Sequence, residues 1–223
     1  MNSAYRYTDR KQAGMFLGDH LAEKYKGLTD LLIIGIPRGG VEVAFYVAMT
    51  MQAPLSLIVS KKLPYPGQPE FGFGAVAEEH TVYVADEFKR DLPATLVEKS
   101  VAEQETEIAR RVELYRNSAP LSDFRGKTVF LIDDGIATGV TLVPCIRLCR
   151  AKQAAKVIIA APVSGQQYDP HMAEADAIEV LYRPADFHAV GQAYERFGDF
   201  TDKELLKLLQ KQEDNYENTR LPG

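Results

Sequence analysis

In Val129-Phe130-Leu131-Ile132-Asp133-Asp134-Gly135-Ile136-Ala137-Thr138-Gly139-Val140-Thr141, four apolar residues run into two adjacent carboxylates and then into a loop of Gly and Thr. The apolar run predicts a buried strand. Ligands of open α/β sheets bind beyond the carboxyl ends of the strands, so the loop is where a site belongs. The residues after it open a helix, whose first turn offers unpaired backbone N–H groups and the positive end of a dipole. Such a loop cradles phosphate. Thr138 and Thr141 add hydroxyls, Gly135 and Gly139 let the backbone approach closely, and Pro144 falls within the first turn, where a missing N–H costs little. The loop is not of the P-loop type, because no Lys follows its final Gly and two acids precede it. Carboxylates touching phosphate would repel it, so Asp133 and Asp134 are expected to accept hydrogen bonds from sugar hydroxyls, directly or through a cation. A sugar phosphate with a vicinal diol satisfies both halves of the segment.

Outward from this segment, apolar runs of strand length recur at Leu31–Ile36, Leu55–Ser60 and Val157–Pro162, beside Thr128–Ile132 itself. Strands apolar on both faces suit a parallel sheet covered on each side. Helix-like segments alternate with them at Asp9–Tyr25, Gly40–Met51, Leu92–Arg116 and Leu142–Lys152. That rhythm predicts an α/β fold with a mainly parallel sheet and helices on both faces. Gly72–Asp86 predicts an antiparallel hairpin turning near Glu79–His80. Leu92–Arg116 is long and charged, with one apolar stripe through Leu96, Val97, Val101, Ile108, Val112 and Tyr115. It reads either as a solvated helix lying on the sheet or as a dimer-forming one. Beyond Ala161 come Ile178–Leu181, a Pro-, Phe- and Gly-punctuated segment Arg183–Phe200, a helix Asp202–Leu209 and a polar tail Lys211–Gly223. The absence of repeats and low-complexity linkers makes residues 1–223 a single domain.

The opening stretch resembles the phosphoribosyl pyrophosphate signature of type I phosphoribosyltransferases: hydrophobic strand, two acids, and a phosphate loop ending in Thr-Gly-x-Thr. The resemblance implies that Asp133 and Asp134 face the ribose 2- and 3-hydroxyls, and that Ile136, Ala137, Thr138, Gly139, Val140 and Thr141 hold the 5-phosphate. Gly35-Ile-Pro-Arg38-Gly39-Gly40 occupies the place of that family's pyrophosphate loop. Arg supplies a fixed fork of donors to phosphate oxygens there, and glycines expose backbone N–H groups. The resemblance further implies a cis or otherwise strained peptide entering Arg38. Lys61 and Lys62 end the next strand, as site residues or as a solvated strand end. The Pro- and Gly-rich segment after them predicts a loop, in the place of the family's mobile one. Pro37-Arg-Gly-Gly, Pro69-Glu-Phe-Gly-Phe-Gly-Ala, Asp133-Asp-Gly-Ile-Ala-Thr-Gly and Phe187-His-Ala-Val-Gly191 together resemble a bacterial subgroup of the family without an assigned substrate, over roughly residues 9–209. Arg183–Phe200 would then be a small C-terminal hood recognising the acceptor, with Phe187, Tyr194 and Phe197 as stacking rings or core aromatics.

What the resemblance implies chemically is a Mg²⁺-dependent transfer of the phosphoribosyl group to a nitrogen nucleophile, a nucleobase or an amine, with release of pyrophosphate. Asp133 and Asp134 would be the metal carboxylates. A homodimer is favoured on the same ground. The alternative is a non-catalytic sensor of phosphoribosyl pyrophosphate. Composition narrows these further. With 46% hydrophobic and 26% charged residues the chain reads as soluble and globular, and a net charge of −5 argues against a nucleic-acid partner. Two cysteines, Cys145 and Cys149, exclude a disulfide framework, and the four scattered histidines offer no metal set. The start MNSAYRYTDRK lacks a signal-peptide core, and no apolar run is long enough for a bilayer, so the expected location is cytoplasmic and no membrane partner is expected.

Overall fold

Because the central strands bury both faces, successive residues go to different cores. A computed structural model describes residues 6–65 and 67–220, with the backbone alone at 68–71 and 213–220. Among them, β1 (Leu31–Gly35), β2 (Leu55–Leu57), β6 (Thr128–Ile132), β7 (Lys156–Val163) and β8 (Ala177–Tyr182) form one parallel sheet in the order β2-β1-β6-β7-β8. Ile33, Phe130, Ile132, Ile158 and Ala160 pack against α1 (Arg10–Lys24) and α2 (Gly39–Met51) through Leu17, Leu21, Val43 and Val47. Leu32, Ile34, Val129, Leu131, Val157 and Ile159 face the opposite way, toward α4 (Leu142–Ala151) and its Ile146, Leu148 and Cys149. Each fully buried Val, Leu, Ile or Phe among them contributes about 1.5–3 kcal/mol. Both cysteines are buried thiols on α4.

Register places the site. β1 pairs with β6 from Leu31↔Thr128 to Gly35↔Ile132, so the two strands end side by side. The loop leaving β1, Ile36–Arg38, therefore abuts the acids leaving β6. The helix that follows β1 packs closely as well: a Cβ on Gly35 would lie 2.7 Å from the Val41 Cα. Asp9 caps α1, its carboxylate accepting the Gln12 N–H at 2.9 Å.

Three expectations change. The 55–60 run is not one strand. β2 stops at Leu57, and β3 (Ser60–Tyr65) begins a separate antiparallel sheet with β4 (Gln68–Ala77) and β5 (Thr81–Val84). The expected hairpin is β4–β5, turning at Glu79 and His80, both at positive φ. Second, the expected loop after Lys62 is largely strand, because Pro64 lies on the edge strand β3, where a missing N–H is tolerated, and the register shifts on both sides of it. Pro66 and the side chains of 68–71 lie outside the described residues. Third, the polar tail expected from Lys211 is helical as far as Arg220, because α5 runs Asp202–Arg220, and 221–223 lie outside the described residues. The helix α3 (Ala94–Arg116) does lie on a sheet, as one of its two readings had it: it rests on the antiparallel sheet and on α5, joining Val101, Ile108 and Tyr115 to Leu57, Leu63, Phe73, Val76 and Leu205. Among the described residues no helix is long and apolar enough to cross a membrane.

Candidate active site

The two loops brought together by β1 and β6 touch through glycines. A Cβ on Gly39 would sit 2.0 Å from Asp134 Oδ2, and one on Gly40 would sit 2.8 Å from the Ile132 carbonyl oxygen and 2.9 Å from the Asp133 Cα. No larger residue fits either position without moving the acids. The Pro37–Arg38 peptide is cis, as the resemblance implied. Arg38 itself is exposed at the start of α2, and its carbonyl accepts the Val41 N–H at 3.0 Å.

The acids differ in their surroundings. Asp133 Oδ1 accepts the Asp134 backbone N–H at 2.9 Å, while Asp134 Oδ2 accepts from Arg10 Nε at 2.7 Å. Asp133 lines a cavity of about 140 Å³ together with Lys62 and the loop residues Gly135, Ile136, Ala137, Thr138, Gly139, Val140 and Thr141. Burial, and next the Asp134 charge, push Asp133 well above the usual carboxylate range. Burial also raises Asp134, but the Arg10 guanidinium opposes it.

Carbonyls fix the shape of the phosphate-type loop. Ile136 O accepts from Gly165 N at 3.0 Å, Thr138 O from Asp169 N at 2.8 Å and Gly139 O from Leu142 N at 2.9 Å. Gly139 has φ +73°, and a Cβ there would meet Met172 Sδ at 2.8 Å, so the sharp turn and the tight packing both require glycine. Ala137 and Thr138 are exposed, whereas Gly135, Ile136, Gly139 and Val140 are buried. Beyond Thr138 and Val140 a second cavity of about 350 Å³ opens toward Tyr168 and Asp169, again bounded by Lys62.

The two lysines part company. Adjacent residues on a strand point to opposite faces, and Lys62 lines both cavities while Lys61 faces α3. Burial, and next the Arg111 charge, lower the Lys61 pKa. The structure thus brings Lys62, and not Lys61, to the loop and Asp133.

In the hood, Phe187 is half-buried beside the loop: a Cβ on Gly165 would lie 3.2 Å from Phe187 Cδ1 and 3.6 Å from the Ala137 carbonyl. Tyr194 is a support rather than a platform. It is 1% exposed and its hydroxyl donates to the Asp134 carbonyl at 2.5 Å. Phe197 stacks on Tyr194, with centroids 5.1 Å apart, and carries the Arg10 guanidinium 4.0 Å from its centroid, so two neighbours already occupy its ring. Arg10 is the residue that sequence reasoning missed. It lies 124 positions from Asp134, and nothing in its local stretch marks it.

Comparison with known proteins bears on the fold and the family. The sequence model of the phosphoribosyl transferase domain family matches residues 6–194. A Mycobacterium tuberculosis protein provisionally named a phosphoribosyl transferase, found in strains CDC 1551 and H37Rv, is 36% identical over 208 residues, covering 92% of this chain and 46% of the relative. The chain thus spans about half the length of the curated relatives it matches. The crystal structure of TT1426 from Thermus thermophilus superposes with a TM-score of 0.79 at 32% identity, covering 92% of this chain and 98% of that one. AQ2163 from Aquifex aeolicus, at a TM-score of 0.50 and 13% identity over 81% of this chain and 79% of its own, shares the fold alone.

Proposed function

The chain belongs to the phosphoribosyl transferase domain family, and from that premise we propose that it binds phosphoribosyl pyrophosphate and transfers its phosphoribosyl group to a nitrogen nucleophile, releasing pyrophosphate. The observation that carries this reading is the single cavity shared by Asp133, Lys62 and the whole Gly135–Thr141 loop. It pairs a carboxylate for sugar hydroxyls with a backbone cradle for phosphate.

In this reading the loop takes the 5-phosphate through its backbone and Thr138, and Asp133 accepts from the ribose hydroxyls. Lys62 approaches the phosphate from the facing strand as a point charge. Arg38, exposed above the acids, offers its guanidinium to the pyrophosphate and stabilises it as it departs. The negative charge of the acid pair favours the positive charge that builds on the ribose ring as the C1–oxygen bond breaks. The nucleophile's nitrogen then bonds to C1 and gives up its proton to solvent or to the departing pyrophosphate.

The donor set suits magnesium, which keeps several waters and takes one or two carboxylates besides substrate phosphates. Among the described residues no three His, Cys, Asp or Glu converge into a protein-only cage; Asp133, which lines the loop cavity, would be the carboxylate nearer the ion, with Asp134 beside it held by Arg10. When bound it would neutralise charge on the pyrophosphate.

The hood defines the acceptor, and one position restricts it. Hypoxanthine- and guanine-type relatives resemble one another in an aspartate before the Thr-Gly of the loop, where this chain has Ala137. A methyl group takes no proton, which forgoes a general-base contribution of about 10²–10⁴-fold. The test is pyrophosphate release from phosphoribosyl pyrophosphate and Mg²⁺ against purines, pyrimidines and small amines. One acceptor outside the 6-oxopurines is expected to stimulate release, with hypoxanthine and guanine poor. Release matching the best acceptor with either oxopurine would contradict the Ala137 argument, and no acceptor-dependent release across the panel would contradict the transfer.

A further inference from the structure

We propose that Arg10 is a positioning residue for the acid pair, locking Asp134 so that Asp133 is the carboxylate presented to the sugar; this rests on the phosphoribosyl pyrophosphate reading above. Arg10 is 8% exposed, and a buried guanidinium is costly unless its partners are well placed. Its partners come from separate parts of the chain. Nε donates to Asp134 Oδ2 at 2.7 Å, Nη1 donates to the Gly198 carbonyl at 3.0 Å and lies 3.8 Å from Glu42 Oε2, and the plane rests on Phe197 at 4.0 Å. The same acid is fixed from its other side, where the Tyr194 hydroxyl donates to the Asp134 carbonyl. Asp134 is therefore clamped at both side chain and backbone by groups that also anchor the hood.

Arg10 does not line the Asp133 cavity. It borders a separate recess with Asp9, Glu42, Arg196 and Gly198. It touches the pair at Asp134, and reaches Asp133 through that carboxylate and through its own charge. With the guanidinium present, one charge of the pair is compensated and the adjacent Asp133 keeps its orientation toward the loop. Without it, the two close carboxylates repel or come to share a proton, and in either case the free Asp134 side chain competes for whatever Asp133 should receive. Recognition of the ribose hydroxyls should then fail although no group touching the sugar has changed.

The readout is discrimination, which a merely structural role would not move. Affinities are measured by calorimetry for ribose 5-phosphate and for its analogue lacking the 2- and 3-hydroxyls. The wild type should prefer the hydroxylated ligand by about tenfold or more, the size of one charge-assisted hydrogen bond. Arg10→Met should bring that ratio close to one with the affinity for the deoxygenated analogue unchanged, and Arg10→Lys should keep part of it. A folded Arg10→Met protein with the wild-type ratio would overturn the proposal. If Arg10→Met does not fold, Arg10→Gln against Arg10→Lys decides: a ratio lost in Gln and kept in Lys supports it, and a ratio kept in both overturns it. Failure of the underlying reading looks different, because the wild type itself would then show no preference or bind neither ligand.

Discussion

Asp133 and Asp134 have identical side chains in adjacent positions, yet one lines the loop cavity and the other is bound to Arg10. Their joint presence was legible because a strand, a pair of acids and a Gly/Thr loop are contiguous in sequence. Their separate tasks were not, because the residue that divides them arrives from α1, and no local pattern reports a contact made across 124 positions. Lys61 and Lys62 repeat the lesson: the dipeptide reads as one charged strand end, and only the pairing of β3 decides which face meets the loop. Arg38 lends itself to a residue-level test. Arg38→Ala should weaken pyrophosphate-bearing ligands by roughly 1.5–3 kcal/mol, the scale of a hydrogen bond to a charged group, and leave ribose 5-phosphate affinity nearly intact. Competition binding with both ligands checks this, and equal losses would place Arg38 away from the pyrophosphate.

Elements with strong local signals matched their expected bounds closely. α1, α2, α4, β1 and β6 lie within two residues of them, since their apolar residues satisfy a buried face whatever their neighbours are. The departures arose where partners decide. Ile58 and Val59 are as apolar as β2, but the chain there leaves one sheet for the other. The stripe on α3 was visible, and which sheet it covers was not: it lies on the antiparallel sheet and α5. A buried ion pair ties these elements together, Arg116 of α3 donating to Glu78 beyond β4 and to the Leu57 carbonyl at 3.1 Å, while Glu78 Oε1 accepts the Val59 N–H at 2.8 Å. The Arg116 and Glu78 side chains are 12% and 7% exposed. Arg116→Ala should therefore cost about 3–5 kcal/mol by leaving Glu78 buried and uncompensated. Urea unfolding measures it, and a loss below about 1 kcal/mol, the value of an exposed pair, would show that water reaches Glu78 in the native state.

At the scale of the molecule, two parallel strands ending in register bring the Arg38-Gly39-Gly40 loop onto the acids. The antiparallel sheet carries Lys62 to the cavity, and the hood fastens to Asp134 through Tyr194 and Arg10. Three parts of the chain thus converge on one carboxylate pair, which is the arrangement expected if the ligand spans sugar, phosphate and pyrophosphate at once. The most direct measurement is calorimetric titration of phosphoribosyl pyrophosphate with Mg²⁺ into the wild type and a folded Asp133→Asn variant. Binding to the wild type that weakens at least tenfold in the variant, about 1.4 kcal/mol, is the predicted result. A folded wild type that does not bind, or a variant that binds equally well, would contradict it.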